Sequence, residues 1–363
     1  MRRHMLWLCL ILAATVVVGP AWAEFADAAV GNTALGVGTR AIGMGDAFVA
    51  VADDVTALYW NPAGLADNTG FKWHTISIGG GVDNLDVIDE LADVAYILDM
   101  DGGEIVSPGD FNTILNAARN TGGQPIEVEG SLMTGFALGP LAIGAYAQSA
   151  GVAGLTDVGG AGNQVNATAN VLGFGAVGVG YGRQISRHLQ MGVAVKQAVL
   201  AEARVQKSYQ SNAPVVEIAD DSDDDNALTA DLGLRYKPEE NMCFGLVVRN
   251  ITSPDFTLDL GAATGIVTRE VKPSVHFGLA AFDPAEGLTF AADIHNLTAA
   301  NNASPTVHFG LEKIVNSNLA VRAGLRDSQF TWGVTGSLGP LTLEIASAFD
   351  YNDMFAASLT TDF

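Results

Sequence analysis

Residues 319 to 350 read LAVRAGLRDSQFTWGVTGSLGPLTLEIASAFD, and three short runs inside them alternate with a period of two. In the first, Leu319, Val321, Ala323 and Leu325 fall on one side, with Arg322 and Arg326 on the other. In the second, Phe330, Trp332, Val334 and Leu338 oppose Gln329, Thr331, Thr335 and Ser337. In the third, Leu341, Leu343, Ile345 and Phe349 oppose Thr342, Glu344 and Asp350. Successive side chains of a strand point to opposite sides of the sheet, so each run is a strand with one greasy and one polar face. In a soluble sandwich the greasy face would be the core; in a membrane barrel it meets lipid, and the charged face lines the lumen.

The connections choose between those two. The alternation marks fourteen strands, near 70–82, 125–138, 140–151, 165–184, 188–208, 226–237, 241–252, 272–283, 286–298, 304–315, 318–326, 329–338, 341–350 and 354–363. The links after every second strand are tight: Gly139-Pro140, the Ser186 region, Pro238-Glu239-Glu240, Pro284-Ala285, Asn316-Ser317-Asn318 and Gly339-Pro340. The long links, 83–124, 152–164, 209–225 and 253–271, all fall on the other side of the alternation. Short turns at one end and long loops at the other is the layout of bacterial outer-membrane barrels. The expected fold is therefore all-β, a fourteen-stranded antiparallel transmembrane β-barrel over residues 67–363 in the bacterial outer membrane. A turn centred on Ser317 would place Glu312 directly opposite Arg322 on the lumen side.

Composition agrees. The chain is 48% hydrophobic, yet beyond residue 23 the hydrophobicity is spread and no uninterrupted run has the roughly 20 apolar residues of a membrane helix. The stretch from Gly130 to Thr156 is uncharged, but Gly139-Pro140 cuts it into two arms of strand length. Residues 1–23 read as a signal peptide: Arg2 and Arg3, an apolar run from Leu6 to Val18, then Ala21-Trp22-Ala23, with the exported chain starting near Glu24. Cys9 lies too early in that run for a lipoprotein cleavage site, and Cys243 is then the sole cysteine, which rules out an intramolecular disulfide. The net charge of −22 becomes −24 when Arg2 and Arg3 leave with the signal, a balance that argues against direct contact with nucleic acid. The expected surroundings are outer-membrane lipid and lipopolysaccharide. The final FAASLTTDF, with Phe355, Leu359 and Phe363 on one face, resembles the terminal strand that barrel-insertion machinery recognises.

The first long loop carries a helical insert at about 84–120. Leu85, Ile88, Leu91, Ala92 and Ala95 recur at helical spacing, and so do Phe111, Ile114, Leu115 and Ala118. Two short amphipathic helices, outside the barrel mouth or folded over it, fit this pattern. Before the first strand, residues 38–66 read GTRAIGMGDAFVAVADDVTALYWNPAGLA, too rich in Gly for a long helix and too broken by Pro62 for a central strand.

This run is similar to the N-terminal signature of the FadL, PorV and UPF0164 superfamily of outer-membrane proteins. The resemblance rests on Arg40, the Gly43 to Gly45 turn, Ala52-Asp53-Asp54 and Asn61-Pro62-Ala63. It implies a small hatch, within residues 24–66, inside a fourteen-stranded barrel; the helical insert resembles that of TraF-type conjugal transfer proteins. Gating would fall to Arg40, Asp53, Asp54, Asn61, Pro62 and Gly64, with Glu312, Arg322 and Arg326 facing them from the lumen wall. Asp53 or Asp54 is expected within reach of backbone amides, or of Arg322 or Arg326.

Other motifs have plainer readings. GFGAVG at Gly173 to Gly178 has the dinucleotide-binding spacing but continues through an alternating strand instead of opening a helix, so no cofactor is expected. In the same strand the apolar phase shifts from Leu172 and Phe174 to Val177, Val179 and Tyr181, which suggests a bulge or kink. The acidic run EIADDSDDDN puts Asp221, Asp223 and Asp225 at alternate positions, but Asn226 and Leu232 break the calcium-loop pattern, leaving a solvated external loop. His276 and His308 sit in the repeated phrases PSVHFGL and PTVHFGL, without metal-ligand spacing. No catalytic arrangement of Ser, His and Asp is present, so no enzyme is expected.

Two functions remain: passage of a hydrophobic or small molecule through a hatch-gated lumen, or a PorV-like or TraF-like role binding partners of a secretion or conjugation assembly. The first predicts an apolar cavity behind the hatch. The second predicts a filled lumen and an exposed apolar face on the insert.

Overall fold

A computed structural model of the chain describes residues 35–158, 164–349 and 352–362; residues 1–23, expected to be a signal peptide, and Phe363 of the expected terminal strand lie outside them. Sixteen strands follow in order: β1 (Phe71–Asp83), β2 (Ile126–Leu138), β3 (Leu141–Asp157), β4 (Gln164–Ser186), β5 (Leu189–Gln210), β6 (Val216–Glu239), β7 (Met242–Arg249), β8 (Asp255–Asp259), β9 (Ile266–Glu270), β10 (Ser274–Asp283), β11 (Leu288–His295), β12 (Thr306–Asn316), β13 (Leu319–Arg326), β14 (Gln329–Leu338), β15 (Leu341–Phe349) and β16 (Asn352–Asp362). Fourteen close into one antiparallel barrel, sealed where β1 pairs with both β2 and β16; β8 and β9 pair only with each other. Lipid offers no hydrogen-bond partner, so every backbone group of a spanning sheet has to pair within it, and closure removes the edges.

The two faces of the wall have opposite character. Val177, Phe309, Leu343 and Phe355 point outward and are half exposed or more, a band of apolar surface that would aggregate in water and is at home in lipid. Glu312, Arg322, Asp231 and Arg235, on the other phase, are buried inside. At 23, 22 and 24 residues, β4, β5 and β6 far exceed the roughly 9–11 needed to cross a bilayer, and stand above it at the loop end. The uncharged stretch around Gly139-Pro140 is the β2–β3 hairpin.

Several expectations need correction. The acidic run is not a loop: β6 starts at Val216 and pairs Asp221 with Arg204 and Asp223 with Glu202 of β5. Above the membrane the outer face of β6 meets water and its inner face accepts the Thr257 and Asp259 amides, so both phases are polar and the hydrophobic alternation that marks a strand is lost there. The link at 253–271 is also structured, holding β8, β9 and the short helix α5 (Gly261–Thr264). The bulge expected in β4 is absent. Its ladders to β3 and β5 run without a shift through residues 165–184; Leu172, Phe174 and Ala176 keep the inner phase while Val177, Val179 and Tyr181 keep the outer one. The inner phase is simply apolar at that level. Register shifts lie elsewhere in the wall: in β1 between His74 and Ser77, between β5 and β6 at Gln206 to Lys207, and next to three of the tight turns.

The insert forms α3 (Leu85–Leu98) and α4 (Pro108–Asn120), the latter started by Pro108 and by the Ser107 hydroxyl, which accepts the Asp110 amide. Helix α4 buries Phe111, Ile114, Leu115 and Ala118, whereas α3 buries Val87, Val94 and Ile97 and leaves Ala92 and Ala95 exposed. Both pack on outward-facing residues of the raised wall, among them Val82, Ile126, Val128, Leu155, Val165 and Tyr209. The helices therefore clasp the outside of the wall at the loop end; they do not fold over the mouth.

Inside, residues 35–68 cross the lumen and are almost wholly buried. The wall accommodates them by presenting glycine on its inner phase. A Cβ at Gly192 would fall 2.1 Å from the Pro62 carbonyl carbon, at Gly233 2.1 Å from Asn61 Oδ1, and at Gly324 2.2 Å from the Gly45 nitrogen. Gly79, Gly144, Gly180, Gly182, Gly245, Gly278 and Gly310 make similar approaches from other strands. Gly192→Val or Gly324→Val should leave the barrel folded, because the outer surface and ladders are untouched, but overpack the lumen by about 1–3 kcal/mol. Limited trypsinolysis at Arg40 should then accelerate by about tenfold over unmodified protein while the heat-modifiable barrel band persists. Unchanged protection of Arg40 would show that the wall tolerates a side chain there.

Candidate functional site

The candidate site is the seat of this inner segment. It begins with one helical turn, α1 (Thr39–Gly43), then reverses at Gly45 and Asp46, both with φ near +60°. A Cβ on Gly45 would lie 2.6 Å from the Leu325 nitrogen, so that turn requires glycine. Phe48 to Ala52 fill the centre. The Asp54 carboxylate then accepts the Thr56 amide at 2.7 Å and starts the short helix α2 (Ala57–Trp60). Asn61 Oδ1 accepts the Ala63 amide and Pro62 takes the first position of the 3-10 turn Pro62–Asp67. The Asn61 amide donates to Val49 O at 3.0 Å and Leu234 O at 3.2 Å, joining segment to wall. Gly64 presses on the Ala52 carbonyl, where a Cβ would stand at 1.9 Å.

A relay of charges anchors the turn end of the segment. Arg40 Nη1 meets Asp53 at 2.6 Å and Asp54 at 3.9 Å, while Nε and Nη2 grip Glu312 at 2.9 and 2.8 Å. Glu312 in turn holds Arg322, its cross-strand partner, at 2.6 Å, and Arg322 reaches Glu344 at 3.3 Å. Asp53 and Asp54 thus meet Arg40 of their own segment, not Arg322 or Arg326 directly. Arg326 is taken by Asp46 at 3.3 Å and Glu129 at 3.1 Å. A buried carboxylate is tolerable only when paired, and the nearest cation in the chain supplies that pairing first. Burial alone would raise the Asp54 carboxyl, but Arg40 and the Thr56 hydrogen bond hold it below the ordinary range. Burial would likewise lower the Arg40 pKa; Asp53 and Glu312 outweigh it and hold it well above the usual value. Beside this relay lies a polar recess of about 220 Å³, bounded by Arg40, Asp53, Lys72, His74 and Glu344.

Other anchors were not legible in the sequence. Asp293 accepts the Phe48 and Val49 amides, both at 2.7 Å, and Arg235 donates to Ala50 O and to Asp67 at 2.9 Å each. Lys237 joins Asp67 at 2.5 Å. His308, stacked 4.0 Å from His295, contacts Gly45 O through Nδ1 at 2.8 Å. Towards the loop end, Tyr59 and Trp60 pack edge to face, and the Arg249 guanidinium lies 4.1 Å over Tyr59. The only available signal was position: each of these wall residues occupies the inner phase of its strand, close to a glycine of the same phase.

Among the described residues, no backbone hydrogen bond joins 35–67 to the wall; side chains make every link. The wall holds itself by ladders and the segment by caps, ion pairs and apolar packing. The segment can therefore be displaced without unzipping a strand.

No protein-family model matches the chain, and no curated protein does. Solved structures do. The P. putida toluene transporter TodX superposes with a TM-score of 0.58 at 15% identity, over 91% of this chain and 99% of that one. The Ralstonia pickettii toluene transporter TbuX gives 0.51 at 12% identity, over 91% and 99%, and a Pseudomonas aeruginosa FadL homologue 0.52 at 12%, over 90% and 98%. The likeness is one of fold: the chain has the fourteen-stranded architecture of FadL-type outer-membrane barrels, in keeping with an outer-membrane location.

Acid should loosen the segment. Burial alone would raise the Asp67 carboxyl, but Arg235 and Lys237 hold it, like Asp54, below the ordinary 3.8. A depressed carboxylate contributes stability above its unfolded value and loses it as the pH falls through the folded one. Hydrogen-exchange protection of Asp54 to Trp60, corrected for intrinsic rates, should fall by at least about tenfold between about pH 5 and pH 2. The double variant Asp54→Asn with Asp67→Asn should start lower and fall less over the same range. Protection that persists to pH 2 in unmodified protein would count against these anchors.

Proposed function

We propose that the protein is a FadL-like outer-membrane channel that passes hydrophobic or small molecules, with residues 38–66 as its hatch. The turn end faces the periplasm and the loop end the exterior. The observation that carries this reading is the separate attachment of the segment: it lies almost wholly buried across the lumen, yet its hydrogen bonds to the wall all run through side chains. Most of these hydrogen bonds have a charged partner and contribute about 1.5–3 kcal/mol each, so moving the segment means exchanging several of them against water or solute. The fold shared with toluene transporters supports the same reading.

Arg40 is the latch in this scheme, because it joins Asp53 and Asp54 of the segment to Glu312 of the wall. Asn61, Pro62 and Gly64 act as the stiff corner about which the segment turns. Among the described residues the apolar space above the hatch is filled by side chains, which is the filled lumen expected of the partner-binding role and not the cavity expected of transport, so passage requires movement. A role limited to partner binding would call for an apolar face on the insert; α3 and α4 bury theirs against the wall.

Changing Asp53 and Asp54 together to Ala removes two partners of Arg40 and leaves the wall's ladders intact. Conductance in planar bilayers should rise several-fold, and a variant lacking residues 24–66 should rise further. Uptake into liposomes of a panel of long-chain acids and small aromatics then tests the solute class. If both variants conduct no better than unmodified protein, and no member of the panel is taken up, the barrel is a plugged scaffold and the channel reading is wrong.

A further inference from the structure

The acidic stretch of β6 has so far no role, and neither has the side of the strand that bears it. β5 pairs with β6 from Tyr236 up to Val216, whereas β7 pairs with it only from Leu232 downward and ends at Arg249. The last main-chain bond on the β7 side runs from Ile251 N to Ala230 O at 2.9 Å. In an antiparallel sheet alternate residues send both main-chain groups to the same neighbour. Asp220, Ser222, Asp224, Asn226 and Leu228 share the phase of Ala230, so their amides and carbonyls also point to the β7 side, where no strand follows. Leu228 O accepts the Thr252 hydroxyl at 3.3 Å, and Asn226 N donates to the Asp225 carboxylate at 2.7 Å. Among the described residues no hydrogen bond reaches the main-chain groups of Asp220, Ser222 and Asp224 on that side.

The β8–β9 hairpin lies close by without entering the ladder. Thr257 N donates to the Asp225 carboxylate and Asp259 N to that of Asp223, both at 2.7 Å. Those carboxylates belong to the inner phase, and Phe256 and Leu258 of β8 are buried, so β8 sits inward of β6 and leaves the edge uncovered. Asp220, Ser222, Asp224 and Asn226 are exposed. An open strand edge is a template for another strand, and charged side chains are a common guard on it. Here the guard has one sign. Asp220 and Asp224 project from the outer face, Asp221, Asp223 and Asp225 from the inner, and among the described residues no ion pair neutralises them. A second copy of the chain brings the same row and is repelled; a basic strand is attracted.

We infer that the open side of β6 from Asp220 to Asn226 is a docking edge for an extended basic segment of another protein, which adds to the raised wall as a strand. The main chain of the segment bonds Asp220, Ser222 and Asp224, and its outward side chains lie beside those of Asp220 and Asp224. A segment with Lys or Arg at alternate positions fits this edge. The inference goes beyond the channel reading, because the edge stands above the membrane and is available whether or not a solute crosses the lumen.

The probe is a fluorescein-labelled ten-residue peptide of alternating lysine and threonine, titrated into the detergent-solubilised protein and followed by anisotropy. It should bind at least about tenfold more tightly than the same peptide with every main-chain nitrogen methylated, which keeps the charge and removes the donors. Ser222→Pro, which removes an edge amide and no bond to β5, should weaken binding by about tenfold, and so should Asp220→Asn with Asp224→Asn. In hydrogen exchange on the unmodified protein, saturating peptide should slow the Asp220, Ser222 and Asp224 amides by at least about tenfold and leave those of Asp221 and Asp223, which already face β5, nearly unchanged. This alternation decides the question even where a substitution disturbs the raised strand. Equal affinity for the two peptides, or protection that does not alternate along β6, overturns the docking edge and leaves the acids as a diffuse attraction. Self-association of the protein that Ser222→Pro abolishes also overturns it, by seating a second copy there.

Discussion

Where the N-terminal segment crosses the lumen, its backbone lies directly against the backbone of the wall, and glycine is what permits the approach. At Gly192, Gly233 and Gly324 a methyl group would overlap Pro62, Asn61 or Gly45. Everything else about the interior follows from this contact. It lets a stretch of about thirty residues fill a fourteen-stranded barrel without widening it. It brings Asp293, Arg235 and Asn61 within reach of main-chain groups on the other side. And it leaves Trp60, Phe48 and Leu58 sealed from water, where apolar burial contributes about 1.5–3 kcal/mol for each large side chain.

The wall could be read from the sequence because lipid and lumen impose opposite demands on alternate residues. Leu341, Leu343 and Ile345 against Thr342 and Glu344 is that demand written out, and fourteen strands emerge from it. The same logic explains the misreadings. In β6 the residues from Asp220 to Asp225 meet water on one side and the main-chain amides of residues 257 and 259 on the other, so both phases are polar and no alternation remains to distinguish a strand from a loop. In β4 the inner phase is apolar at Leu172 and Phe174 because Phe256 comes down to meet them, and an apolar lumen imitates a change of phase. The anchors of the segment were beyond reach for a different reason. Arg40 and Glu312 are 272 positions apart, and Phe48 and Asp293 are 245 apart, so nothing local couples them. The register of one hairpin was enough to bring Glu312 opposite Arg322, but not to say that Arg40 would be the group that meets Glu312 first.

The barrel combines two grades of attachment. Ladders bond every neighbour in the wall, and their loss would expose backbone to hydrocarbon, which is prohibitive. The segment and the β8–β9 hairpin are instead held by side-chain groups that water can replace. Motion is thereby confined to parts whose displacement leaves the membrane-facing surface unchanged. The α3–α4 pair belongs with the rigid part: lying on the outer face of the raised strands, it reinforces the side of the barrel that carries the hairpin's acceptors.

The acid row that supports the hairpin also acts at a distance. Asp220 and Asp224 face outward from the same raised strand, and α3 adds Asp89 and Asp93 on its exposed side. At physiological ionic strength such charges extend their influence about 8 Å into solution. Magnesium or calcium from the medium would concentrate around the mouth, and anionic compounds would be depleted there before touching any surface. Neutral hydrocarbons feel no such potential. Ionic strength would thus alter which molecules arrive without altering how any of them is held, giving the barrel a selectivity located in the surrounding water.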